Sequence, residues 1–235
     1  MMESLLDFVK GPLFRLCFAI MILGLLRIFT LDIWNGYKAW RKAGDKKIPW
    51  KLIRRRSWEW IFPIKRIKNN FQAYSVISIL FHVGLILVPI FLFAHIDLWK
   101  KSVGISWPSL PFTLAFWLTI STIVFLIAML ISRMVIKPLR ALSKKQDYLW
   151  LILLFIPFAT GFICANLNVS PYNYHFFMLI HILSGELILV LIPFSKIAHC
   201  VLAPLSQIVC GLAWSFPPET DDAICTTLNK KGARV

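Results

Sequence analysis

Five stretches of roughly 20 apolar residues, separated by polar or strongly basic links, set the limits on what this 235-residue chain can fold into. A helix rises about 1.5 Å per residue, so each stretch can cross the roughly 30 Å hydrocarbon layer of a bilayer. The five are expected at about 11–34, 73–96, 111–132, 148–166 and 175–198. A soluble domain is about half apolar and a quarter charged. This chain is 58% hydrophobic and 16% charged, with a mean hydropathy of +0.71. The expected class is therefore an all-α integral membrane protein built as a five-helix bundle. Arg15 and Arg27 interrupt the first stretch, but side chains of that length can snorkel to an interface. Acidic Glu3 and Asp7 precede that stretch and no small-residue cleavage site follows it, so it reads as a retained helix rather than a cleaved signal.

The formal net charge of +15 would point to nucleic acid in a soluble protein. Here the basic residues fall between the apolar runs, where they set topology instead, and nucleic acid is not an expected partner. The link at 37–70 carries twelve Lys or Arg against Asp45 and Glu59, and the link ISRMVIKPLRALSKKQD after the third stretch is also basic. The second link has only Lys100 and Lys101, and the fourth, NLNVSPYNY, has no charge. Basic loops stay on the cytoplasmic side, which puts the N-terminus outside and the C-terminus in the cytoplasm. Trp99, Trp107, Tyr172 and Tyr174 then form an outer aromatic belt, and Trp34, Trp40, Trp50, Trp58 and Trp60 an inner one. Residues 1–199 form the transmembrane domain, and 200–235 a helix along the inner surface followed by a polar tail, a candidate docking strap.

Four of the five histidines lie within two of the apolar stretches: His82 and His95 in the second, His181 and His199 in the fifth. Imidazole is costly to place in hydrocarbon and is a strong ligand for haem iron, so two in each of two spanning helices point to bis-histidine haems. Because the two stretches run in opposite directions, His82 pairs with His199 near the cytoplasm and His95 with His181 near the outside. The intervals are 13 and 18 residues, which rise about 20 Å and 27 Å along ideal helices. Eighteen residues are five whole turns, placing His181 and His199 on one face; thirteen are not, so His82 and His95 diverge unless the helix bends near Pro89. Histidines that bind protons or substrate in a haem-free anchor or small transporter are the competing reading. Cys17, Cys164, Cys200, Cys210 and Cys225 form no CxxC or CxxCH, so neither a structural zinc site nor covalent haem is indicated.

The segment HILSGELILVLIPFSKIAH, from His181 to His199, resembles the last crossing of the cytochrome b (gamma) subunit of respiratory nitrate reductase, with PFS, a basic residue and histidine in sequence. FHVGLILVPIFLFAH, from Phe81 to His95, resembles that family's second crossing, and the likeness extends over about residues 70–205. The wording and the 13-residue interval look most like the branch found in heterodisulfide-reductase-like and sulfate-reducer membrane complexes. The resemblance implies a five-helix bundle holding two b haems, ligated by His82 with His199 and by His95 with His181. It also implies menaquinone or another quinone at the outer haem. Partners would be a cytoplasmic iron–sulfur subunit and, in some assemblies, multihaem c-type cytochromes, in the inner membrane of a prokaryote.

Other residues have candidate roles of their own. Glu186 is the only acid in the fifth stretch, and an intramembrane carboxylate is a candidate for proton traffic. His175 and Lys100 stand at the outer end, where they are candidates for quinone contact. Pairing His175 with His95 would need an interval of 24 residues, about 36 Å, too long to match. Arg15 and Arg27 are candidate partners for haem propionates, because guanidinium meets carboxylate as a two-pronged donor. No catalytic triad, phosphate-binding loop or dinucleotide fingerprint is present, so terminal catalysis is expected on another chain. The expected function is electron transfer between quinone and an iron–sulfur subunit.

Overall fold

The computed structural model describes residues 2–42, 50–61, 72–166, 168, 170–200, 202, 206, 226, 227 and 229. Among them there is no strand, and five helices are long and apolar enough to cross a membrane. The chain is a multi-pass membrane protein. The expected inner-surface helix and tail over 200–235 lie almost wholly outside the described residues. Contacts divide the chain into two units, Met1–Leu23 with Lys65–Ser195, and Gly24–Ile64 with Lys196–Val235.

The first unit opens with α1 (Met2–Phe8), which passes through a π-helical turn at Val9–Leu13 into α2 (Phe14–Lys42). Pro12 lies inside that turn and has no N–H to donate, a usual cause of such a bulge. The helix expected over 11–34 therefore starts nine residues earlier and, including the turn, runs on to Lys42. After the basic link come α4 (Gln72–Phe91), α5 (Phe93–Val103), α6 (Phe112–Val135), the short α7 (Lys137–Leu142), α8 (Lys145–Asn166) and α9 (Pro171–Leu191). Ser170 caps α9 by accepting from the Asn173 N–H, with Pro171 in the first turn.

Helix α4 packs on α6, α6 on α8, α8 on α9, and α9 on α1 and the π turn, which also touches α5. One core gathers Phe81, Leu126, Met129, Leu151 and Leu154 from α4, α6 and α8, with Ile188 of α9 against it. A second joins Leu6, Val9 and Ile182, so the start of the first helix lies along α9. Lipid offers apolar chains no reason to leave it, so close backbone approach and hydrogen bonds must hold such helices together. Gly84 supplies one such approach: a Cβ there would collide with Thr122 Oγ1 and lie 3.2 Å from the Leu118 carbonyl oxygen. The outward faces carry the apolar side chains expected against lipid, among them Leu114, Trp117, Val124, Ile131 and Leu187.

Two of the expected crossings are not single rods. The second stops at Phe91, because Leu92 is extended (φ −71°, ψ 131°), and restarts as α5. The fifth is α-helical only over Pro171–Leu191, continues as a 3-10 turn over Ile192–Phe194, and reaches extended backbone at Ser195 (φ −133°, ψ 179°). Pro193 contributes, since its ring forbids the α-helical hydrogen bond at that position. The five whole turns expected between His181 and His199 are thus not a continuous helix, and the inference that both share one face does not hold.

In the second unit, the later part of α2 carries Trp34, Tyr37 and Trp40 along one side, with ring centroids 5.8 Å and 6.2 Å apart in succession and Lys38 Nζ over Trp34. Helix α3 (Trp50–Ile61) lies within the basic link, with Trp50 and Trp58 exposed and an Arg55–Glu59 ion pair of 3.2 Å.

A histidine pair at the broken helix

The interruption at Leu92 frees the last carbonyls of α4, and each finds a donor. Val88 O accepts from the Leu92 N–H at 3.0 Å, and Phe91 O from the Leu110 N–H at 2.9 Å. Ile90 O accepts from the Trp107 indole Nε1–H at 2.9 Å. Pro89 O accepts from His95 Nδ1 at 3.0 Å. The break is a fully satisfied structure rather than a defect, and one of its four bonds orients His95. At its far end α5 closes on Gly104, whose φ of 81° is the left-handed conformation of a helix stop, with its N–H on Lys100 O at 3.1 Å.

Across from it stands His181 of α9. The two rings have centroids 5.8 Å apart and planes only 12° apart. His181 Nδ1 donates to Pro157 O of α8 at 2.8 Å, a bond between helices. The ring lies over Gly161: a Cβ at that position would come 2.7 Å from His181 Cε1 and 2.9 Å from Nδ1. Only glycine leaves that space. Pro157 and Gly161 are four residues apart, one helical turn, so a single face of α8 supplies both the acceptor and the clearance.

His82, half-buried on α4, donates from Nδ1 to Ser78 O at 2.6 Å. His199, exposed in the second unit, donates from Nδ1 to Lys196 O at 2.7 Å. All four of these histidines therefore use Nδ1 toward a backbone carbonyl, which can only accept, and this fixes the tautomer whose Nε2 carries the lone pair. Metal-bound histidines are commonly held in this way. His82 and His199 belong to different units, so the structure joins one expected pair, His95 with His181.

The remaining candidates are scattered. His175 is half-buried beside Tyr174, with ring centroids 6.0 Å apart. Lys100 is exposed in the last turn of α5, and its neighbour Lys101 pairs with Asp97 at 2.6 Å. Arg15 and Arg27 are both exposed on α2. Glu186 is buried at 4% exposure, and neither carboxylate oxygen has a hydrogen-bond partner. Among the described residues no three His, Cys, Asp or Glu gather as a metal site, so any ion here would be held by a pair of side chains and a further group.

A protein of Nitratidesulfovibrio vulgaris (strain Hildenborough) is 33% identical over 159 residues, covering 67% of this chain and 69% of that protein. The chain belongs to that protein's family. No protein-family model and no solved structure matches it.

Proposed function

We propose that this family member is a dihaem cytochrome b, the membrane subunit of a quinone-linked oxidoreductase complex. His95 and His181 would hold one haem, and the resemblance of the two histidine segments assigns His82 and His199 to the other. The observation that carries the reading is the His95–His181 geometry. A metal–nitrogen bond is about 2 Å, so two imidazoles that shared one metal ion would have ring centres on the order of 6 Å apart. The rings stand at 5.8 Å, both Nδ1 atoms are committed to carbonyls, and Gly161 clears the space beside one of them. The residues present thus fit a haem, which His95 and His181 would hold through their Nε2 atoms.

When bound, the haem supplies one-electron chemistry between ferric and ferrous iron. The chain's part is orientation and insulation. Pro89 O and Pro157 O hold the imidazoles in the ligating tautomer and raise their basicity. The core of Phe81, Leu126 and Leu154 excludes water from the middle of the bundle. Two haems at different depths would let electrons cross between menaquinone, or another quinone, near the outer face and an iron–sulfur subunit in the cytoplasm. The basic link at 37–70 supports that orientation by the positive-inside rule. The resemblance of the two histidine segments to the nitrate reductase cytochrome b family, in its heterodisulfide-reductase-like branch, supports the assignment of partners.

The test is a reduced-minus-oxidised absorption spectrum of the purified protein with stoichiometric haem analysis. Two b-type haems per chain are expected in the wild type. His95→Ala and His181→Ala should each remove the same one, and His82→Ala and His199→Ala the other. A protein with no haem signal would instead be an anchor or transporter whose histidines serve protons or substrate.

A further inference from the structure

Four polar side chains are buried among the described residues: Thr122, Thr160, Ser184 and Glu186. The three hydroxyls each donate to a carbonyl of their own helix, at 2.6 Å to Leu118 O, 2.7 Å to Ile156 O and 3.0 Å to His181 O. Glu186 alone is left with both oxygens unpartnered. A buried carboxylate is relieved by a countercharge, by donors or by a proton. The hydroxyls are turned to their own carbonyls, and at 4% exposure a partner subunit could not reach the group. A proton remains.

The surroundings of Glu186 explain when that proton would be taken up. The first helix and π turn, which pack on α9, carry Glu3 and Asp7, both exposed, and half-buried Lys10, and beyond them buried Cys17 lies within electrostatic reach of Glu186. From α8, which packs along α9, the stretch Trp150–Phe162 has no titratable side chain. On α9 itself the nearest is His181, five residues away and about 7.5 Å along the axis, with His95 of α5 opposite it. Among the described residues no cation hydrogen-bonds the carboxylate, so its protonation answers chiefly to the charge carried at the histidine pair.

We infer that Glu186 is a redox-linked proton acceptor, taking one proton from water when an electron arrives at the site held by His95 and His181 and releasing it when the electron leaves. This rests on the haem reading above. In balance, an external reductant of the quinol or dithionite class gives one electron, ferric iron becomes ferrous, and Glu186 passes from carboxylate to carboxylic acid.

The experiment is redox potentiometry of the haem-loaded protein between pH 5 and 9, combined with reduced-minus-oxidised infrared difference spectra in H2O and D2O. In the wild type one haem should have a midpoint potential that falls as pH rises; a tenfold difference in proton affinity between the two states corresponds to about 59 mV. The infrared spectrum should gain a deuterium-sensitive carboxylic acid band on reduction. Glu186→Gln should flatten the pH dependence of that haem and remove the band, and Glu186→Asp should keep both with a displaced pH range. Intact haems whose potentials and infrared spectra are the same in wild type and Glu186→Gln overturn this inference alone. Absence of haem overturns it together with the proposed function. Should Glu186→Gln fail to fold, wild-type protein carrying isotope-labelled glutamate decides: a label-shifted acid band supports the inference and its absence overturns it.

Discussion

At the scale of single residues, the candidate site depends on atoms that have no chemistry of their own. Gly161 is the clearest case, because its missing side chain is where the His181 ring lies. Gly161→Ala should push that ring from Pro157 O and weaken haem retention at one site by about tenfold to a hundredfold, the usual range for loss of a supporting contact. Haem content after dialysis against apomyoglobin measures it. Gly185→Ala is the control, since a Cβ there meets nothing within 4 Å, and it should leave both haems in place. The histidines were legible in the sequence because imidazole is rare in hydrocarbon. Gly161 and Pro157 were not, because they act through helix α8, which carries no candidate ligand, and nothing in the local sequence of that helix says which face meets α9.

At the scale of elements, the five crossings follow from apolar length alone, and that signal places the third and fourth within three residues at each end, while the first helix begins nine residues earlier than expected. Their interruptions are harder to read. Pro89 marks irregularity near the end of the second crossing, yet the backbone departs from the helix three residues later, at Leu92, where donors from outside the helix are available. The tryptophan that caps Ile90 O lies 17 residues beyond its acceptor, a distance at which no periodicity argument operates. Trp107→Phe keeps a smaller aromatic ring and removes the N–H, leaving a carbonyl without its donor. A cost of about 1–3 kcal/mol is expected. Thermal unfolding in detergent measures this, and the haem ligated by His95 should be lost at lower temperature than its companion. The fifth crossing spans as expected, but apolar length says nothing of helix type, and at PFS the proline and the extended Ser195 end the regular helix before His199.

At the scale of the whole molecule, charge placement carries the directional reading. Twelve basic residues in the 37–70 link should hold it in the cytoplasm. Alkaline phosphatase fused after Ser170 should be active, and fused after Trp50 inactive; the reverse pattern would invert the proposed orientation of the chain in the membrane. The interruption at Leu92 has one more consequence. Along an unbroken helix, gaining or losing one residue between two ligands would swing the second by about 100°. Here such a change at Leu92 would fall where the backbone is already non-helical, while Trp107 still holds Ile90 O. A change there in the count of residues separating His82 from His95 should therefore disturb the second ring less than the same change inside α4.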